Sequence, residues 1–219
     1  MTTDVLSRAI VDRPVELRAA PEGSASPGIL RGYGAVFNSL SRDLGGWFEL
    51  IDPGAFGEPL ADGSVDLDVH GRVICRTNHN SDLLLGTTSA ETLRLYLDEV
   101  GLLYEVDLPA TSHGRDIAVL AERGDIEFSS FAFRTTPGGR EWFYNENESL
   151  ISRVKSAHLA DVAPVSDPAY WEATSELARS LDLDAVRASL KPQPGPPGQW
   201  ESDALTRAQS ISKTITGRK

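Results

Sequence analysis

Apolar and polar residues alternate one by one in several stretches of this chain, and two stretches read as helix. The clearest alternation is paired. Leu93, Leu95 and Leu97 face one way, Asp98-Glu-Val-Gly turns, and Leu102, Tyr104, Val106 and Leu108 return on the same side, which predicts a β-hairpin. Further strands are expected at Val15-Glu-Leu-Arg, at 29–37 with two glycines suggesting a bend or close approach, at 47–51, at 142–144, and within the long extended run 150–165. Residues 73–79 (Val-Ile-Cys-Arg-Thr-Asn-His) predict a strand with Val73, Cys75, Thr77 and His79 on one face. Residues 63–69 suit a loop or an edge strand.

One helix is expected after Thr111 or Ser112, carrying Ile117, Leu120 and Ala121 on one face and stopped by Gly124. A second is expected from the Asp167-Pro168 pair through Tyr170, Trp171, Leu177 and Leu181. Between them, residues 124–133 read Gly-Asp-Ile-Glu-Phe-Ser-Ser-Phe-Ala-Phe. Alternation puts Ile126, Phe128, Ser130 and Ala132 on one face of that strand and Glu127, Ser129, Phe131 and Phe133 on the other. At least seven strands and two helices predict a mainly β fold.

Composition narrows the function classes. With 219 residues and 40% hydrophobic content there is room for one substantial core plus tails. No apolar run approaches the roughly 20 residues of a membrane span, so no membrane association is expected. The first residues lack the basic-then-apolar build of a signal peptide, and a cytoplasmic product is expected. The single cysteine, Cys75, excludes an internal disulfide framework, and His70, His79, His113 and His158 show no His-Glu-x-x-His spacing. No metal and no cofactor are expected. A net charge of −11 argues against nucleic acid. The last 20 residues run the other way, with Arg207, Lys213, Arg218 and Lys219 against Glu201 and Asp203. Lys191-Pro-Gln-Pro-Gly-Pro-Pro-Gly separates that tail from the body as a linker.

Two adjacent serines on a strand with apolar residues on both faces invite two readings. A buried serine commonly bonds a nearby carbonyl. Alternatively Ser130 is a nucleophile, which needs a histidine and an orienting group from elsewhere in the chain. No serine sits in a Gly-x-Ser-x-Gly elbow, which counts against an α/β-hydrolase.

Several blocks, in order, resemble the prohead (capsid maturation) proteases of tailed bacteriophages, relatives of herpesvirus assemblin. They are Gly32-Tyr-Gly-Ala-Val-Phe-Asn, Glu49-Leu-Ile-Asp-Pro-Gly-Ala-Phe, the His79 block ending in Leu85-Gly86, the Asp98-Glu-Val-Gly-Leu hairpin, the Ser130 strand, and Leu159-Ala-Asp-Val-Ala-Pro-Val-Ser-Asp-Pro-Ala. The resemblance implies an assemblin-like closed β-barrel with surrounding helices. It implies Ser130 as nucleophile, in a Ser-x-small-Phe pattern, and His79 as general base. The third member falls on Asp161, where the family carries Glu, with His158 as the herpesvirus-like alternative. On one regular strand these two face opposite ways, and Asp161 shares its side with Ala157, Leu159, Ala163 and Val165. Asp161 is favoured because a carboxylate among apolar neighbours wants a partner such as an imidazole N–H. His70 reads as an exposed loop residue, His113 as solvent-facing and Ser129 as structural. The small polar residue the family carries after Glu-Val is Ala163 here, and the paired arginines of the herpesvirus oxyanion region are absent from this block.

The implied organisation is an N-terminal arm (1–28), a protease domain (29–181), a Pro/Gly linker (182–199) and a flexible basic tail (200–219). The implied function is a serine endopeptidase inside the immature capsid (prohead) in the host cytoplasm. It would cut scaffold, or the scaffolding extension of the major capsid protein, and then itself; a homodimer is compatible with this. The rival readings are a catalytically inactive capsid-assembly scaffold of the same fold and an unrelated cytosolic esterase.

Overall fold

The computed structural model describes residues 7–11, 14–166 and 183–190, the first of these by backbone alone. Twelve strands fall into three sheets among these residues. The first sheet has five strands in the order β1 (Ser7–Val11), β9 (Phe128–Thr135), β12 (Ala157–Val165), β5 (Ile74–Arg76) and β6 (Leu84–Thr87). The second has four: β2 (Glu16–Arg18), β3 (Ile29–Val36), β8 (Gly101–Asp107) and β7 (Leu93–Leu97). The hairpin of β7 and β8 forms in the register its leucines demand, with Leu95 opposite Tyr104 and Leu97 opposite Leu102.

These two sheets face each other across the main core. β3, β7 and β8 supply Leu30, Leu93, Leu95, Leu102, Tyr104 and Val106, and the opposing strands supply Cys75, Leu85, Phe131, Phe133, Leu159 and Val162. The approach is close enough to require glycine at one crossing. A Cβ on Gly32 would lie 2.5 Å from Ser129 Oγ and 2.9 Å from the Tyr104 hydroxyl, so any side chain there would push β3 off β9. That is the physical content of the Gly32-Tyr-Gly block.

The barrel expected from the resemblance is not closed. Among the described residues the five-stranded sheet ends at β1 and β6 and the four-stranded sheet at β2 and β7, and no ladder joins them. Apolar inner faces stacked through side chains already exclude water, so the burial does not require the edges to meet.

The run 150–165 is two strands. It breaks at Lys155-Ser156, whose N–H groups both donate to Gly139 O. The first half, β11 (Leu150–Val154), lies between β10 (Arg140–Tyr144) and β4 (Phe48–Ile51) in a small third sheet. This sheet has its own core of Leu44, Trp47 and Leu150, with the Trp47 and Trp142 rings edge to face at 5.0 Å. On its edge strand β4, Glu49 is buried, and Arg140 reaches its Oε2 at 3.1 Å.

Three helices complete the described part. α1 (Leu67–His70) stands where a loop or edge strand was expected, its first turn capped by Asp66. α2 (Ser112–Glu122) begins at the expected Thr111 cap and buries Ile117 and Ala118, with Leu120 and Ala121 partly covered. α3 (Leu183–Ser189) opens the stretch expected to be linker and packs Leu183 and Val186 on the small sheet's core. The helix expected after Asp167-Pro168 lies outside the described residues, as does most of the linker and all of the tail.

Candidate active site

The site is built on β9 and β12, the antiparallel pair at the middle of the five-stranded sheet. On β9 the alternation holds. Phe131 and Phe133 point into the main core, and Ser129 on that side shares a hydrogen bond of 3.0 Å with the Tyr104 hydroxyl. Ser129 is therefore engaged within the core, as expected. Ser130 is on the opposite face, 3% exposed.

On β12 the alternation fails, and the failure sets the site. Leu159 lies opposite Phe133 but Asp161 lies opposite Ala132, so Ala160 is an extra residue, a β-bulge. In a regular strand Asp161 would share the face of Leu159 and enter the apolar core. One inserted residue turns every later side chain over, and Asp161 arrives instead on the face of Ala132 and Ser130. The expectation that Asp161 and His158 face opposite ways is overturned for the same reason: both lie on the Ser130 side, with the bulge between them.

His79 is delivered by a turn, which corrects the expected strand 73–79. β5 ends at Arg76, and Thr77-Asn78-His79 wind into a 3₁₀ turn. Asn78 and His79 have φ of 52° and 55°, the left-handed region that costs a non-glycine residue about 1 kcal/mol or more. Partners hold the turn in place. Asn78 Oδ1 accepts the Ser166 N–H at 3.1 Å, Thr77 O accepts the Asn80 N–H, and Thr77 Oγ1 lies 3.1 Å from His113 Nε2 on α2. His113, expected to face solvent, is half-buried against that turn.

The three side chains meet in line. His79 Nδ1 lies 2.7 Å from Asp161 Oδ1, and His79 Nε2 lies 2.7 Å from Ser130 Oγ. An ionised carboxylate only accepts, so Nδ1 carries the proton and Nε2 is left to accept from the serine hydroxyl. The second carboxylate oxygen, Oδ2, accepts from Arg76, whose Nε is at 2.8 Å and whose terminal nitrogen also reaches it. Arg76 is tied in turn to Ser81 Oγ at 3.0 Å. Burial pushes the Asp161 carboxyl upward, but the hydrogen bonds and charges of His79 and Arg76 outweigh it and hold the group below its ordinary value. Asp161 therefore stays charged and keeps the imidazole in one tautomer.

Arg76 was not among the residues singled out from the sequence. The only hint was an arginine three positions before His79, on the strand neighbouring β12. Nothing in the sequence couples it to a carboxylate 85 residues away. His158, the alternative third member, is exposed at the far end of β12, with Nδ1 3.1 Å from Val69 O. His70 is not a free loop residue: it is half-buried at the end of α1 and bonds the backbone on two sides. Cys75 is buried, and burial together with the nearby Asp161 raises its thiol well above the ordinary range, so it stays neutral. Among the described residues no group of three His, Cys, Asp or Glu side chains could hold a metal, and no helix is long and apolar enough to cross a membrane.

A hydroxyl hydrogen-bonded to an imidazole that is itself oriented by a buried carboxylate is the apparatus for making an alkoxide-like nucleophile near neutral pH. The family model described as caudovirus prohead serine protease matches residues 14–187. No curated protein sequence matches the chain. Among solved structures, the capsid assembly protease of bacteriophage T4 aligns with a TM-score of 0.48 at 11% identity, covering 73% of this chain and 96% of that one.

Proposed function

We propose that this chain, which belongs to the caudovirus prohead serine proteases, is a serine endopeptidase working through Ser130, His79 and Asp161. Ser130 Oγ attacks the scissile carbonyl as its proton passes to His79 Nε2. His79 then gives that proton to the departing amine, and Asp161 stabilises the imidazolium in between. Water attacks the acyl-enzyme by the same route in reverse. The observation that carries this reading is the unbroken relay from Ser130 through His79 to a carboxylate that is already charged. No metal or organic cofactor enters the scheme.

The substrates are the scaffold, or the scaffolding extension of the major capsid protein, inside the immature capsid, and then the protease itself, cut between residues 181 and 206. The Pro/Gly-rich sequence after Leu190 supports that last point, since proline lacks the N–H that helix and sheet pairing use and a protease cleft takes an extended backbone. A fluorophosphonate probe tests the chemistry: the wild type should label and Ser130→Ala should not. Intact mass after co-expression with the capsid protein tests the cleavage. Wild type should lose a C-terminal piece that Ser130→Ala keeps. A wild type that neither labels nor cuts would favour an inactive assembly scaffold, and one that turns over small esters but leaves capsid protein intact would favour an esterase.

A further inference from the structure

His70 bonds the backbone on both sides of its ring, and one of those bonds lies beside the bulge that aims Asp161. Its Nε2–H donates to Phe56 O at 2.8 Å, and its Nδ1 accepts the Leu159 N–H at 3.2 Å. A carbonyl only accepts and an amide only donates, so this pair of partners admits one form of the ring, the neutral Nε2–H tautomer. It is the opposite tautomer to that of His79. The ring bridges two segments: the turn after β4 that ends at Phe56, and β12 immediately before Ala160. The Ala157 N–H donation to Ala55 O at 2.8 Å ties the same two segments together.

The bridge has a position where support is needed. β5 pairs with β12 only at Asp161 and Val162, so β5 provides no ladder on that flank ahead of Asp161. His70 supplies the acceptor there. On the other flank, β9 is the strand against which the register slips by one residue between Leu159 and Asp161. If Leu159 let go, the described hold on that flank ahead of the bulge would fall back to the Ala157 N–H bond to Ala55 O, two residues earlier. Asp161 could then rotate back toward the face that Leu159 occupies.

We propose that His70 is a positioning residue for the Ser130–His79–Asp161 relay, a neutral acceptor that pins the Leu159 amide and so fixes the face Asp161 takes. The proposal rests on the reading of that relay as the reaction centre. It has a consequence in pH. Protonation of Nδ1 would set N–H against N–H, so the pin holds only while the ring is neutral. Burial lowers the imidazole below its ordinary value, the Phe56 carbonyl opposes this, His158 on β12 adds to it, and Asp66 at the start of α1 opposes it. The rings of His70 and His158 lie 6.1 Å apart, and the Phe56 ring lies 6.2 Å from that of His70. The neutral form is thus favoured down into mildly acid solution.

Two substitutions separate the halves of the bridge. In His70→Asn the amide oxygen can occupy the place of Nδ1 and accept from Leu159 without titrating. In His70→Gln the amide nitrogen can reach Phe56 O, but no acceptor remains for Leu159. With folding checked by thermal unfolding, the fluorophosphonate labelling rate near pH 8 should stay within about threefold of wild type in His70→Asn and fall about tenfold in His70→Gln. On the acid side, the wild-type rate should fall with the uptake of two protons, and the His70→Asn rate with one. The Nδ1–H resonance of His79, shifted far downfield by its bond to Asp161, should persist in His70→Asn and broaden or move in His70→Gln. If both variants label at the same rate, the wild type titrates with a single proton, and the resonance is unchanged in both, the proposal is overturned. If the wild type labels not at all yet the resonance separates the variants as described, the positioning role stands and the peptidase reading falls.

Discussion

Among the described residues two carboxylates are buried, each beside an arginine, and they are driven in opposite directions. Asp161 is held below its ordinary value, whereas Glu49 is raised to about 7. Burial raises both and is the largest influence on each. The difference lies in how the charged form is satisfied. Both oxygens of Asp161 accept hydrogen bonds, one from His79 and one from Arg76. Only one oxygen of Glu49 does, from Arg140, and its Oε1 accepts none among the described residues. A nearby cation is therefore not enough to hold a buried acid at its ordinary pKa. Each lone pair also has to be met, because an unpaired acceptor in the interior forfeits the hydration it had in water.

Removing the charge at Asp161 should have the largest effect. Asp161→Asn keeps the shape but presents either an oxygen or an N–H to His79, which favours the wrong tautomer. The loss in labelling and cleavage rate should be on the order of 10⁴, the scale set by the equivalent change in the chymotrypsin triad, in a protein that still folds but has a lowered thermal midpoint. A variant that retains more than a tenth of the rate would remove Asp161 from the relay.

Next, Arg76→Gln makes Asp161 more like Glu49 by taking away the charged donor to Oδ2. The rate near pH 8 should drop roughly 10- to 100-fold, the worth of one hydrogen bond to a charged group. The loss should deepen toward acid, because without the guanidinium the Asp161 carboxyl rises and protonates at a higher pH. A uniform loss across pH would instead point to a packing role for Arg76.

The third change acts on stability and leaves catalysis alone. Glu49 binds its proton more tightly in the folded chain than in the unfolded one. Its penalty is therefore absent at acid pH and grows as pH climbs from the ordinary value of 4.5 to about 7. Asp161, being depressed, works the other way: its contribution is present above its ordinary pKa and disappears as pH falls. Glu49→Gln should thus stabilise the protein by about 2–3 kcal/mol at pH 8 and by little at pH 5, with labelling unchanged. Denaturant titrations at the two pH values check it, and equal midpoint shifts at both would reject the titrating role. The smallest effect is expected of His158→Gln: an exposed residue should change the rate by about twofold or less. A loss rivalling that of Asp161→Asn would transfer the third position to His158.

Most strands, the β7–β8 hairpin, α2 and the opposite facing of Ser129 and Ser130 were legible, because each depends on side chains a few residues apart; β1 and β6 were not expected. Ser130, His79 and Asp161 could be singled out, and the structure brings them together. What could not be read was how they get there. A bulge at Ala160 leaves no mark in an alternating string, since Leu-Ala-Asp-Val fits either register. The left-handed pair Asn78-His79 reads as a strand end, because its strain is offset by partners as distant as Ser166. Arg76 was not singled out, because its carboxylate partner lies 85 residues away. The third sheet escaped notice because β4 and β11 pair in parallel across about a hundred residues, a long-range choice no local pattern records.

The strand that carries Ser130 has a neighbour on each side. β12 takes one edge, and β1 takes the other, with Ile10 opposite Ser130 and Ala9 opposite Phe131. A polypeptide substrate is often held by lending its backbone to an exposed strand, and here that strand has no vacancy. Any incoming chain that would pair with β9 must compete with a segment of the same molecule. A short tether keeps such a segment at an effective concentration on the order of millimolar. In this arrangement a dilute extended peptide loses that contest, while one present at comparable concentration meets it on equal terms.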